Sequence, residues 1–317
     1  MTWIFALNLL AKFFKGVSLN TSKKIGLIGI GGLGLPIARN LISSGFNVIG
    51  YRRSSMEQFT ELGGVAADSP CEVAEQADIV LTCLPSGESL ADAVSGSNGI
   101  VKAARSGMIV VELSTIPIEA KREQLVVLAG LGSDLLDCTV SGSPEFIDSR
   151  TAAFFVSGNK SGYENCREVI EGITDNVKFV GQFGCGSALK SISTALVSVH
   201  TLAAAEAFAM GERAGLARQD IFNAITGTPM SSGMFETRGK AMINGDYPKT
   251  RGLATYYERN MEKYYERNME KVRGFTDNVG GTYPLLSAAL DCYKKAIEQG
   301  YGDIDYSGVI EYLMEED

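Results

Sequence analysis

The sequence contains little of what metal, disulfide or nucleic-acid chemistry requires. Its six cysteines are scattered, without the close Cys/His spacings of a metal site or the pattern of a disulfide framework, which favours a reducing compartment. The net charge is -8 at pH 7 and no Lys/Arg-rich run offsets it, which argues against nucleic acid as the main partner. The single histidine, His200, leaves acid-base chemistry at neutral pH to that residue or to another type of side chain. We therefore expect a cytoplasmic protein that acts on a small molecule.

An apolar segment, residues 1–22, precedes the first predicted strand. Trp3, Leu7 and Phe14 belong to a set of apolar residues at helical spacing, which predicts an amphipathic helix. No basic region precedes the segment and polar residues interrupt it, so neither a secretory signal nor a membrane span fits well. A neutral extension, an interfacial helix and a targeting segment, including an organellar one, are the alternatives. Elsewhere we expect no stretch that spans a bilayer and no membrane partner.

The chain is expected to form two domains with a boundary near Gly184. From Lys24 onwards short β-rich runs alternate with helical patterns, which is typical of βαβ units that build a parallel sheet. Residues 187–214 then show one helical pattern of about 28 residues, or about 42 Å, long enough to cross between domains. The predicted fold class is α/β, with an N-terminal Rossmann-type doubly wound sheet (residues 23–184). An all-helical domain (residues 185–317) follows, joined by the long helix.

A short repeat lies in the second half of the chain. The octad YYERNMEK occupies residues 256–263 and again, identically, residues 264–271. Eight residues turn a helix by roughly 80° beyond two full turns, so we expect the two copies to present different faces. A solenoid needs longer and more numerous units, so this is interpreted as a local duplication.

A glycine-rich loop marks a candidate cofactor site. Gly29, Gly31 and Gly34 form G-x-G-x-x-G directly after the predicted strand KIGLIG and before a helical run. In that context the first glycine permits a tight turn, the second lets the backbone approach a pyrophosphate, and the third allows close packing of helix and strand. An ordinary glycine-rich turn is the alternative. We assign to the cofactor site the loop residues Gly29, Ile30, Gly31, Gly32, Leu33 and Gly34, together with Leu84 and Pro85.

The end of the second predicted strand favours NADP(H) over NAD(H). An acidic residue there would bind the ribose hydroxyls and repel a 2′-phosphate, but this chain has Tyr51, Arg52 and Arg53. A guanidinium pairs with a phosphate in a fork geometry, and Arg52 is the first choice for that role. The alternative is that both arginines are solvated surface residues.

Lys190 is the candidate proton donor and acceptor. Its neighbours three and four residues away on the predicted long helix include Ser187, Ser193 and Thr194, which form a small polar strip on an otherwise apolar helix. A lysine that is buried or flanked by cations has a lowered pKa and can exchange a proton with a substrate oxygen. A solvated lysine is the alternative. His200, ten residues later, points about 80° away and is interpreted as a core or interface histidine.

Together these residues resemble the 3-hydroxyacid dehydrogenase family, from Lys24 to Ile310. The motifs that carry the resemblance are GLIGIGGLGLPIARNL, LSTIP, DCTVSGS and GCGSALK. The resemblance implies that Ser141, Gly142 and Ser143 hold the substrate carboxylate, that Thr115 lies near the nicotinamide ribose, and that Lys190 protonates the carbonyl as hydride arrives. It also implies that the long helix takes part in assembly into a homodimer or homotetramer.

The chain departs from the family pattern at three places. Asparagines usual after the family's lysine are replaced by Ser193 and Thr194, which we assign to substrate binding because both still donate hydrogen bonds. The family has a Lys-Asp pair on a later helix, and in this chain Arg267 and Asn268 stand at those positions. We assign Arg267 to the cofactor site. Residues 259–260 are the competing alignment. Tyr51 stands where the family usually has an asparagine, directly before the cofactor arginine.

The sequence thus predicts reversible hydride transfer between NADP(H) and a small 3-hydroxy acid or semialdehyde. Two alternatives stand beside it. One is imine reduction on the same architecture, which retention of Lys190 argues against. The other is a catalytically weak NADP-binding or interaction protein, motivated by Ser193, Thr194 and the duplicated octad.

Overall fold

The computed structural model describes residues 23–142, 144–247 and 261–315. They divide after Gly186 into two compact units. Residues 1–22, including the predicted amphipathic helix, and Ser143 lie outside the described residues.

The first unit is built on an eight-stranded sheet. Its strand order is β3-β2-β1-β4-β5-β6-β7-β8, and every neighbouring pair is parallel except β6 and β7, which are antiparallel. The order reverses between β1 and β4, so the carboxyl ends of these two strands flank the crevice where open α/β sheets bind ligands. The strands are β1 (Lys24–Ile28), β2 (Asn47–Tyr51), β3 (Val65–Ala66), β4 (Ile79–Thr82), β5 (Ile109–Glu112), β6 (Asp134–Ser141), β7 (Ala153–Ser157) and β8 (Asn176–Phe179).

Helices cover both faces of this sheet. Successive side chains of a strand point to opposite faces, and β1 accordingly sends Ile25 and Leu27 into one apolar core and Ile28 into the other. The helices are α1 (Gly34–Ser43), α2 (Glu57–Glu61), α3 (Pro70–Gln76), α4 (Gly87–Ser95), α5 (Ile118–Ala129), α6 (Pro144–Asp148) and α7 (Lys160–Glu171). The predicted doubly wound sheet is confirmed.

The secondary-structure elements in the described residues of the second unit are all helices. Its core includes the stacked rings of Phe208 and Phe235, whose centroids are 5.2 Å apart. The helices are α8 (Cys185–Arg213, which begins in the first unit), α9 (Arg218–Ile225), α10 (Gly233–Asn244), α11 (Met261–Tyr264), a π-helical segment (Tyr265–Met269), α12 (Glu270–Val279), α13 (Pro284–Glu298) and α14 (Val309–Glu315). The predicted all-helical domain with its long helix is confirmed.

Helix α8 corrects one sequence expectation. An 18-residue window of it has a mean hydropathy of 1.4, so the helix is long and apolar enough to cross a membrane by length and composition. Helices in the cores of soluble proteins pass the same test, and 39% of that window is buried within the structure. Composition alone therefore does not assign α8 to a membrane, but the expectation that no such stretch exists was wrong.

The duplicated octad also differs from expectation. Met261 and Met269 occupy the same position in the two copies, and both are fully buried in the same helical core. The five residues Tyr265–Met269 between them are π-helical. A π turn holds more residues than an α turn, because its hydrogen bonds run from i to i+5. Eight residues therefore come close to two whole turns, and the two methionines face the same side.

Candidate functional site

The glycine loop between β1 and α1 has a backbone that only glycine fits at two of its positions. Gly29 has φ of +98°, and a Cβ there would collide with the carbonyl oxygen of Cys83. A Cβ on Gly34, the first residue of α1, would collide with the carbonyl oxygen of Gly29. Gly31 is exposed, and a Cβ there would meet no atom within 4 Å. The loop is thus tightly closed at both ends and open at Gly31, which is the arrangement that a close-lying pyrophosphate requires.

Arg52 is held against this loop. It follows the last residue of β2, Tyr51, and its Nη1 donates a hydrogen bond to the carbonyl oxygen of Ile30 at 2.7 Å. Its Nε is buried and has no hydrogen-bond partner within the described residues. Arg53 is exposed, and its Nη2 lies 3.4 Å from Ser89 Oγ. The loop therefore orients the guanidinium of Arg52, while Arg53 lies on the surface.

The turn after β4 lies beside the glycine loop. Leu84 packs there, because a Cβ added to Gly29 would lie 3.1 Å from its Cδ2. The Leu84 N–H donates to Ser114 Oγ at 2.7 Å, which ties this turn to the one after β5. Thr115 follows Ser114 and is exposed, as is Pro85. The structure therefore brings together the glycine loop, Arg52 and Leu84, three of the predicted cofactor elements.

Three ionisable residues beneath these turns were not singled out by the sequence. Lys121 of α5, Glu112 of β5 and Asp137 of β6 are all fully buried. Lys121 Nζ lies 2.6 Å from Glu112 Oε2 and 2.8 Å from Asp137 Oδ1. Burial works against the ammonium, but the two carboxylates outweigh it and raise the pKa of Lys121. In the sequence, Lys121 looks like a solvated lysine on a helix. The feature that could have indicated a buried ion cluster was a carboxylate within each of two strongly apolar strands.

The predicted carboxylate-binding residues lie where β6 ends. Ser141 is the last residue of β6 and pairs with Ala153 of β7. Gly142 has φ of +151°, and a Cβ there would lie 3.1 Å from the Cβ atoms of Ala152 and Phe146. Ser143 is the third predicted residue and lies outside the described residues.

Lys190 lies in the second turn of α8 and is partly buried. Burial lowers the pKa of its ammonium from 10.5 to about 8, because desolvation penalises the charged form. Thr194 is buried, and its Oγ1 donates to the carbonyl oxygen of Lys190 at 2.9 Å, while Ser193 is partly buried. The Thr194 hydroxyl therefore already donates its proton within the helix and retains acceptor capacity.

His200 and Arg267 both lie on helices of the second unit. His200 is exposed on α8, so it is not a core histidine, and its placement at an interface stays a prediction. Arg267 lies in the π-helical segment, and its side chain is not among those described. The competing alignment at residues 259–260 lies outside the described residues. No group of three or more His, Cys, Asp or Glu suited to a metal ion occurs within the described ranges.

Comparisons with known proteins agree with this geometry. Residues 24–181 match the NAD binding domain of 6-phosphogluconate dehydrogenase, and residues 184–313 match the NAD-binding domain of NADP-dependent 3-hydroxyisobutyrate dehydrogenase. The chain is 30% identical to L-threonate dehydrogenase of Cupriavidus necator, over 91% of this chain and 95% of that protein.

Two other known proteins are similar to this chain. The structure of 3-hydroxyisobutyrate dehydrogenase from Mycobacterium tuberculosis with L-serine superimposes with a TM-score of 0.79 at 27% identity, over 92% of this chain and 99% of that one. A cytokine-like nuclear factor N-PAC of Anopheles gambiae is 28% identical over 90% of this chain, which spans only 49% of that longer protein. The chain belongs to the 3-hydroxyacid dehydrogenase family of NAD(P)-dependent oxidoreductases.

Proposed function

We propose that the protein is an NADP(H)-dependent dehydrogenase or reductase for a small 3-hydroxy acid or its semialdehyde, with Lys190 as the general acid and base. The observation that carries the proposal is the desolvation of Lys190, whose pKa is lowered to about 8. A group with a pKa near the working pH both releases and takes up protons readily, whereas an ordinary lysine, with a pKa near 10.4, would hold its proton.

The residues after β1 and β2 fit a phosphorylated dinucleotide. The open backbone at Gly31 and the start of α1 at Gly34 would hold the pyrophosphate, because a helix N-terminus presents free N–H donors and a positive dipole end. Arg52, whose guanidinium is oriented by its hydrogen bond to the carbonyl oxygen of Ile30, would pair with the 2′-phosphate. When bound, the nicotinamide supplies or accepts the hydride. NADP(H) is therefore proposed as the preferred cofactor.

The residues of this chain then have separable roles. Ser141, Gly142 and Ser143 would hold the substrate carboxylate through hydroxyl and backbone N–H groups, and Ser193 and Thr194 would contribute polar contacts. In reduction, the Lys190 ammonium would give its proton to the carbonyl oxygen as hydride reaches the carbon, and solvent would restore that proton afterwards. In oxidation the neutral amine would remove the proton of the hydroxyl group. Two of the proteins compared are named for hydroxy acids, L-threonate and 3-hydroxyisobutyrate, and this supports a small hydroxy acid as substrate.

The test measures NADPH consumption with glyoxylate, succinic semialdehyde, tartronate semialdehyde and methylmalonate semialdehyde. We expect turnover with at least one of them and its loss in Lys190→Ala, with NADPH affinity retained. Lys294→Ala serves as the matched control, because Lys294 is an exposed lysine on a helix of the same unit. Full turnover in Lys190→Ala would refute the role of Lys190. A cyclic imine in the same assay tests imine reduction, for which we expect no turnover.

A second candidate is a catalytically weak NADP-binding or interaction protein. It is favoured by the relative named as a nuclear factor, and by Ser193 and Thr194 at positions where the family usually has asparagine. The two candidates differ in one measurement. Tight NADPH binding by the wild-type chain, with no oxidation across a panel of hydroxy acids and semialdehydes, would favour this second candidate.

We also propose a homodimer or homotetramer in which a second copy covers an apolar groove on the helical unit. The groove is lined by Ile192 and Leu196 of α8 and by Leu285 of α13, which are 48%, 51% and 72% exposed. Contiguous exposed apolar surface of this kind marks an interaction site. Light scattering should show a smaller assembly for Leu196→Glu, and no change for Leu216→Glu, since Leu216 is equally apolar and exposed but does not line the groove.

A cytoplasmic location is proposed as well. A fluorescent fusion of the full chain, compared with one that lacks residues 1–22, would separate it from targeting to an organelle. Diffuse fluorescence from both fusions is the expected result.

A further inference from the structure

The buried cluster of Lys121, Glu112 and Asp137 is held together at the Lys121 ammonium. The Lys121 ammonium has three donor hydrogens and three oxygen neighbours: Glu112 Oε2 at 2.6 Å, Asp137 Oδ1 at 2.8 Å and the carbonyl oxygen of Ser114 at 2.7 Å. The contact to Glu112 is an ion pair, since Oε2 lies off the direction of a hydrogen bond. One side chain of α5 therefore joins β5, β6 and the turn after β5.

Ser114 is fixed through each of its polar groups. Its N–H donates to Glu112 Oε1 at 2.9 Å, its carbonyl oxygen accepts from Lys121, and its Oγ accepts from the N–H of Leu84 at 2.7 Å. Leu84 in turn packs beside Gly29 of the glycine loop. A continuous line of contacts thus runs from the Lys121 ammonium to the turn that borders the crevice between β1 and β4.

The opposite side of the cluster reaches the start of α8. Asp137 Oδ2 accepts a hydrogen bond from Ser157 Oγ at 3.1 Å, and Ser157 Oγ accepts from the N–H of Gly186 at 3.0 Å. A Cβ on Gly186 would lie 2.5 Å from the carbonyl oxygen of Phe155, so the chain is closely packed there. The same three charges therefore support the main chain at the carboxyl end of β4 and in the first turn of α8.

We propose that Lys121 is a positioning residue for the cofactor crevice, acting through Ser114 on the turn at Leu84. The proposal deepens the proposed function and rests on it. A buried ion cluster adds little net stability relative to apolar packing of similar volume, because desolvation of the charges offsets their attraction. It does fix directions, since the ammonium donates to two defined acceptors, Asp137 Oδ1 and the carbonyl oxygen of Ser114, and forms an ion pair with Glu112. The turn after β4 is thereby already ordered before the cofactor binds, which lowers the entropy cost of binding.

The first experiment removes only the hydrogen bond between the Leu84 N–H and Ser114 Oγ. Ser114→Ala removes the acceptor of the Leu84 N–H and leaves the three charges intact. Because a neutral hydrogen bond that holds the binding conformation is lost, we expect about fivefold weaker NADPH binding, measured by fluorescence titration. Ser95→Ala is the matched control, since Ser95 Oγ donates to Gln124 Oε1 at 2.7 Å between α4 and α5, in the same unit. It should lose a similar amount of thermal stability and bind NADPH as the wild type does.

The second experiment changes the cluster itself. Lys121→Met leaves two buried carboxylates facing each other, and we expect a lowered melting temperature together with NADPH binding weakened more than tenfold. Adding Glu112→Gln removes one of those charges. The double variant should recover melting temperature while its NADPH affinity stays low, because the ammonium that holds Ser114 is still missing. A role in stability alone would make the two quantities recover together.

The outcomes separate this inference from the function on which it rests. Failure of the wild-type chain to bind NADPH would refute the proposed function. Wild-type binding that Ser114→Ala leaves unchanged would overturn the positioning role, whatever the folding of the Lys121 variants. Affinity that returns with melting temperature in the double variant would overturn it as well.

Discussion

Replacing Lys190 by arginine tests the proton role more sharply than removing the side chain. Arginine keeps the positive charge and much of the length, but its guanidinium does not release a proton in the accessible pH range. For Lys190 itself, a pKa of about 8 leaves roughly ten ammonium groups per neutral amine at pH 7 and the reverse ratio at pH 9. General acid catalysis typically contributes about 10² to 10⁴-fold. Lys190→Arg should therefore lose a factor of that size in kcat while binding NADPH normally.

The pH dependence of kcat/KM shows which protonation state of Lys190 each direction of the reaction needs. Reduction needs the ammonium, so its kcat/KM should be level below pH 8 and fall tenfold per pH unit above it; oxidation needs the amine and should rise up to that point. Both profiles are measured by NADPH absorbance at constant ionic strength, with Lys294→Arg as the control for a general effect of the substitution. Reduction that stays constant from pH 6 to pH 10, or Lys190→Arg with wild-type kcat, would refute the reasoning.

Arg52→Ala should lower the preference for NADPH over NADH by about ten- to a hundredfold, because a charge-assisted contact to the 2′-phosphate is lost. Arg53→Ala is the control and should change the preference little. The preference is measured as the ratio of the kcat/KM values for the two cofactors. Gly34→Ala places a Cβ against the Gly29 carbonyl, so NADPH titration should show binding lost or strongly weakened, and wild-type affinity would contradict the geometry. Phe208→Ala removes a fully buried ring from the helical core and should cost about 3–5 kcal/mol of unfolding free energy by denaturant titration; a cost under ~1 kcal/mol would contradict the packing.

Local patterns were enough to predict the architecture. Short β-rich runs predicted the main strands of the sheet, and a run from residue 187 that lacks Pro and has no Gly until Gly211 predicted α8, because each pattern lies within one continuous segment of the chain. The short strand Val65–Ala66 was missed, since two residues carry no periodicity. The prediction that the two octads present different faces assumed α-helical spacing and was wrong. The segment Tyr265–Met269 is π-helical and has more residues per turn, which the sequence pattern does not indicate.

The sequence by itself determined the glycine loop, Arg52 after β2 and Lys190 on the long helix, since each depends on neighbours within one motif. Only the tertiary structure decided that Lys121, Glu112 and Asp137 meet, because they come from one helix and two strands that folding brings together. It also decided the exposure of His200 and the lowered pKa of Lys190. Burial and charge pairing depend on what lies nearby in space, and a one-dimensional pattern does not contain that information.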